Sequence, residues 1–121
     1  MLYHRPTNWD RPGVDPADRE WQRRLGRRFA PADLPAGLVQ ACGHIRHSKC
    51  LTELDGWVAA GAHDLRAGAL RKLVAGEPPL YGDVAIEAPA GVAVMWFIDG
   101  AMAETEPKDY ELLPLARLLE D

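Results

Sequence analysis

The chain has 121 residues and a formal net charge of −4, with 47% hydrophobic and 26% charged residues, an ordinary balance for a folded domain that excludes a globally disordered chain. No apolar run approaches the roughly 20 residues that span a bilayer, and the polar start lacks the apolar middle of a signal peptide, so the reading is a single cytoplasmic domain over 1–121. Two cysteines, Cys42 and Cys50, are too few for a disulfide scaffold.

The charge is unevenly placed: residues 1–30 sum to +3, 31–75 to +1 and 76–121 to −8. A basic first third suits phosphate contacts; an acidic last third does not, and suits a basic protein partner or the chain's own basic end. One serine and one asparagine in a chain rich in Ala, Gly, Pro and Arg fit a GC-rich bacterial or phage coding sequence.

In chain order, residues 1–15 form an extended arm. Asp15 and Pro16 then predict a helix start, Asp as N-cap and Pro at the first helical position. Ala17, Trp21, Leu25 and Phe29 follow at four-residue spacing, so the apolar stripe predicts about three turns, with Arg19, Arg23, Arg24, Arg27 and Arg28 on the other faces. Arg23 and Arg27 are placed to meet a phosphate backbone.

Pro31 and Pro35 interrupt the chain. Leu38, Ala41, Cys42 and Ile45 predict a second helix over 36–46. A third begins near Thr52, where Thr52 and Asp55 have the form of a capping box, and ends at Gly61, which suits a left-handed stop. The fourth, 64–75, places Leu65, Ala69, Leu70, Leu73 and Val74 on one arc and Gly68, Arg71, Lys72 and Ala75 on the other. The second arc is small and basic, fit for close approach to a DNA groove, with Arg66 in its first turn. Pro78 and Pro79 forbid continuation. Strands over 80–87 and 92–99 follow, around a Pro89-Ala90-Gly91 turn, and read as a hairpin. The second is apolar on both faces and should be covered on both. A last helix, 108–121, carries Leu112, Leu115, Ala116 and Leu119.

The stretch "LTELDGWVAAGAHDLRAGALRKLVAG" followed by "LYGDVAIEAPAGVAVMWFI" resembles the winged helix-turn-helix family over about half the chain, 34–99. The resemblance implies an α+β fold, a small helical domain with helix-turn-helix, β-hairpin and C-terminal helix. It implies DNA contacts from Arg66, Arg71 and Lys72, and a homodimer acting in transcription regulation.

Cys42, His44, His47 and Cys50 fall within nine residues and have the ligand identities of tetrahedral zinc, at a spacing unlike a standard knuckle. Three functions follow. The first is a DNA-binding regulator without cofactor. The second is a non-enzymatic interaction module, an inhibitor or accessory factor, using Glu104, Glu106, Asp109 and Glu111. The third is a zinc-responsive version of the first. No Walker loop, dinucleotide fingerprint or hydrolase elbow points to an enzyme.

Overall fold

A computed structural model describes residues 5–10, 13–24, 28–43, 45–65 and 68–98, with single positions at 113 and 116. The predicted last helix and the four acidic positions Glu104, Glu106, Asp109 and Glu111 lie outside the described residues.

The helix predicted at Asp15 is there. It is α1, Pro16–Arg24, and the Asp15 carboxylate accepts the Ala17 backbone N–H at 2.8 Å, satisfying one donor that the first turn leaves unpaired. Its apolar stripe is not a core face: Trp21 is 61% exposed, and Phe29 belongs to a strand. That strand, β2 (Arg28–Phe29), lies parallel to β1 (Arg5–Pro6), in a two-stranded ribbon.

The main sheet has four strands. They are β3 (Val39–Cys42), β4 (Arg71–Val74), β5 (Leu80–Asp83) and β6 (Val94–Phe97), in the spatial order β3-β6-β4-β5. β3 runs parallel to β6, and β4 is antiparallel to both β5 and β6. Between β3 and β4 the chain forms α2 (His47–Glu53) and a 3-10 turn, Ala62–Asp64.

This architecture corrects the helical expectation: the described residues hold two α-helices and six strands in two sheets, not a helix-turn-helix with a following wing. Each displaced element has a local reason. Residues 39–42 pair with β6 as a strand, so no helix occupies 36–46. Thr52 sits in the last turn of α2, where its hydroxyl donates to the Ser48 carbonyl four residues back at 3.3 Å, so it cannot cap a helix that starts there. Gly68, in the middle of the expected fourth helix, has φ +89°, a left-handed conformation that breaks a right-handed helix. Arg71–Val74 is instead a strand buried at all four positions.

The expected hairpin is corrected too. Strands do form at 80–83 and 94–97, but β4 lies between them, so the antiparallel partner of β5 is β4. All four residues of β6 are buried, in keeping with its apolar character on both faces.

The core joins α2 to one face of this sheet: Ile45, Cys50 and Leu54 pack with Leu73, Tyr81, Met95 and Phe97. Register explains the sheet's share, since Leu73 stands opposite both Tyr81 and Met95, so their side chains leave the same face. Residues 57–59 run along the outer side of β5, with Tyr81 N–H donating to the Trp57 carbonyl and Ala59 N–H to the Tyr81 carbonyl, both at 2.8 Å. The ribbon strap is fastened to the end of α2: Asn8 N–H donates to the Glu53 carbonyl at 2.7 Å, and Pro6, Thr7, Asn8 and Trp9 are buried.

Candidate functional site

Two polar constellations sit inside this small body. The first is built on Arg71, which β4 carries into the packed face of the sheet, 1% exposed. Its Nη1 donates to the Tyr81 hydroxyl at 3.0 Å and to Cys50 Sγ at 3.5 Å, and its Nη2 donates to the Ile45 carbonyl at 2.8 Å. The guanidinium carbon lies 5.5 Å from the centre of the Phe97 ring, whose π face favours a cation.

His47 extends the network. One ring nitrogen, Nε2, is 2.7 Å from the Ala62 carbonyl, which can only accept, so Nε2 carries the proton. Nδ1, 2.7 Å from the Tyr81 hydroxyl, is then the acceptor, and the hydroxyl donates to it while accepting from Arg71. Burial holds the His47 pKa below its ordinary 6.5, the Arg71 and His63 charges push the same way, and the Ala62 bond opposes them. The neutral tautomer and the hydrogen-bond pattern therefore agree. Tyr81 stacks on His47 with ring centres 5.7 Å apart and meets Phe97 edge-on at the same separation.

Burial likewise keeps the thiols and the phenol protonated. It lifts Cys42 to about 11, with Cys50 adding to the rise. It raises Cys50 although Arg71 pulls the other way, and it raises Tyr81. A protonated thiol is a poor nucleophile and a poor metal ligand. Both His47 nitrogens are engaged, by Tyr81 and by Ala62, so neither is turned toward a metal. Among the described residues no group of three or more His, Cys, Asp or Glu side chains is placed to hold a metal ion. His44 lies outside the described residues.

The second constellation centres on Glu53, 3% exposed at the end of α2. Its carboxylate accepts from the Thr7 hydroxyl at 3.1 Å and from Arg28 Nη1 at 3.0 Å. Thr7 also donates to the Glu53 carbonyl at 3.1 Å, and the Asn8 side-chain amide donates to the Asp55 carbonyl at 2.6 Å. A buried carboxylate is tolerated when it is paired and bonded in this way. Beside it, a pocket of about 170 Å³ opens between the strap, the start of α1 and β2.

Of the side chains expected to touch DNA, Arg71 and Lys72 lie on β4 and not on a helix face. Lys72 is 8% exposed, with Nζ 5.2 Å from the centre of the Trp96 ring opposite it on β6. Arg66 and Arg27 lie outside the described residues, and the side chain of Arg23 is not described either. Sequence reasoning passed over Tyr81, Glu53, Thr7 and Trp9. The one available signal was scarcity: in a chain with a single serine and a single asparagine, adjacent Thr7 and Asn8 concentrate side-chain hydrogen-bonding capacity.

No protein-family model, no curated protein and no solved structure matches this chain.

Proposed function

We propose that the chain is a non-enzymatic interaction module that binds a basic protein partner through its acidic last third. The observation that supports this most is electrostatic. Residues 76–121 sum to −8, and the described acids among them, Glu77, Asp83 and Glu87, are all exposed. None of these three acids joins an ion pair with another described residue, unlike Asp10, which pairs with Arg19, and Glu53, which pairs with Arg28. The acidic third is therefore not consumed by the basic first third at these positions, and a surface of one sign steers a partner of the other.

An enzymatic role is disfavoured on the same grounds, since the His47, Tyr81 and Cys50 cluster turns its polar atoms toward one another and holds its thiol protonated. The module works in the cytoplasm without a bound cofactor, its cysteines reduced. A DNA-binding regulator is the weaker reading because Arg71 and Lys72 are enclosed by the sheet.

The experiment is capture of partners from cells of the source organism with the full chain and with a variant in which Glu104, Glu106, Asp109 and Glu111 are each changed to Lys. The expected result is a basic protein held by the wild type, released by added salt and absent from the variant. Equal capture by both chains removes the acidic third from the account.

A further inference from the structure

The two edges of the four-stranded sheet differ. On the outer side of β5, residues 57–59 bond the Tyr81 N–H and carbonyl, both at 2.8 Å. β3 is the other edge, and no described residue bonds its outer side. Which of its groups face outward follows from its parallel register with β6. Val94 N–H donates to the Leu38 carbonyl at 2.8 Å and Ile98 N–H to the Cys42 carbonyl at 2.9 Å, so Leu38, Gln40 and Cys42 turn their main-chain groups toward β6. Val39 and Ala41, between them, turn theirs away from the sheet.

Natural sheets usually protect an open edge with charge, proline or a covering segment. Among the described residues β3 has none of these. Its sequence is Val39-Gln40-Ala41-Cys42, and no residue from Leu34 to Gly43 is charged. Gln40 and Ala41 are exposed, and Val39 is half-buried. An edge of this kind is complementary to one more strand. A charged peptide finds no opposite charge on β3 to select it, whereas a second β3 brings an equally neutral edge of equal length. One antiparallel register uses both outward residues of each copy: Val39 stands opposite the partner's Ala41 and Ala41 opposite the partner's Val39. The twofold axis then passes beside Gln40, which faces its own copy.

We propose that the chain forms a homodimer by antiparallel pairing of β3 with β3 of a second copy, joining the two sheets into one. Val39 and Ala41 exchange N–H and carbonyl bonds with the partner's Ala41 and Val39. Cys42 stands opposite Phe97, a core residue on the α2 side of the sheet, so Gln40 shares that side and Val39 and Ala41 take the other. The two Gln40 amides therefore meet on one face, each donating to the other, and Val39 meets the partner's Ala41 methyl on the opposite face. A contact through four residues is smaller than a standard interface, so the dimer is weak. β3 lies outside the acidic last third, and this pairing stands or falls independently of the partner proposed above.

The test is sedimentation velocity of the full chain at low salt over a concentration series reaching about 1 mM. The expected result is a monomer that passes to a dimer within the series. Gln40→Lys and Gln40→Glu, at an exposed position, each set like charges opposite one another at the axis and weaken the dimer by about fivefold or more, while an equimolar mixture of the two restores it. Ala41→Pro deletes an outward N–H that no bond to β6 uses, and weakens the dimer by about tenfold or more. A chain that stays monomeric throughout the series overturns the proposal, as does a dimer that both Gln40 variants leave intact. So does a mixture no tighter than either variant alone, since Gln40 would then not face its own copy.

Discussion

Arg71 decides more than any other side chain about what this molecule can do. A guanidinium on a surface helix reads phosphate or guanine; the same group at 1% exposure, bonded to Tyr81 and the Ile45 carbonyl, fastens β4, β5 and the entry to α2 together. Replacing it with Met leaves a buried carbonyl and hydroxyl without their donor, so Arg71→Met is expected to lower unfolding stability by roughly 3 kcal/mol in urea titrations. Lys72→Met removes the cation beside the Trp96 ring and should cost about 1 kcal/mol or more. Near-neutral results for both would return these cations to the surface.

His47 sets a pH dependence whose sign follows from its neutral tautomer. The folded pKa lies below 6.5, so the unfolded chain binds the extra proton first, and the contribution is complete above 6.5 and lost as pH falls toward the folded value. Stability measured from pH 7 to 5 should fall more steeply for the wild type than for His47→Gln, which keeps a donor for the Ala62 carbonyl and does not titrate. Parallel profiles would show that folded His47 titrates as it does in the unfolded chain, and a wild-type stability that rises toward pH 5 relative to His47→Gln would show a folded imidazole that favours its charged form. The thiols make a companion prediction. With Cys42 raised to about 11 and Cys50 raised as well, alkylation at pH 7 should be slow in the folded chain and become fast on unfolding. A rapidly labelled native thiol would contradict the burial of Cys50 and the partial burial of Cys42.

At the scale of elements, the start of α1 was legible because capping is local chemistry: Asp15 and Pro16 specify it without reference to the rest of the chain. β4 was not. Leu70, Leu73 and Val74 satisfy a helical spacing, and a strand of four residues buried on both faces has no alternation to set against it. Pairing is also non-local, so the two later strands were visible as strands while the insertion of β4 between them was not. Gly68 separates the two readings by experiment. In a helix, Gly68→Ala stabilises by about 1 kcal/mol; at φ +89° it destabilises by about 1–2 kcal/mol. Gly82 tests the packing around β5, since an added Cβ would stand 2.8 Å from Ile86 Cδ1 and 3.2 Å from Ala59 Cβ. Gly82→Ala should therefore cost about 1–3 kcal/mol, measured by thermal unfolding, although Ala suits a strand better than Gly.

For the whole molecule, the chain's ends and middle are joined by contacts that no spacing rule reveals. Thr7 and Glu53 are 46 positions apart, and their bonds anchor the strap to α2. His47 and Cys50 were legible as a chemically loaded pair, but their partners, Tyr81 and Arg71, come from the sheet, which turns an apparent ligand set into a buried hydrogen-bond network. What composition did convey was the charge split, and the structure leaves the described part of its acidic side exposed. With Arg71 and Lys72 enclosed and Glu77, Asp83 and Glu87 exposed, the described surface offers DNA fewer cations than the sequence suggests, which is what the proposed reading requires.

That claim is tested most directly by fluorescence anisotropy of a labelled random-sequence DNA duplex titrated with the full chain at low and moderate salt. The account predicts no saturable rise in anisotropy at either salt. Saturable binding at low salt that falls linearly in log K against log salt would show released counterions and a phosphate-binding surface, and would contradict it.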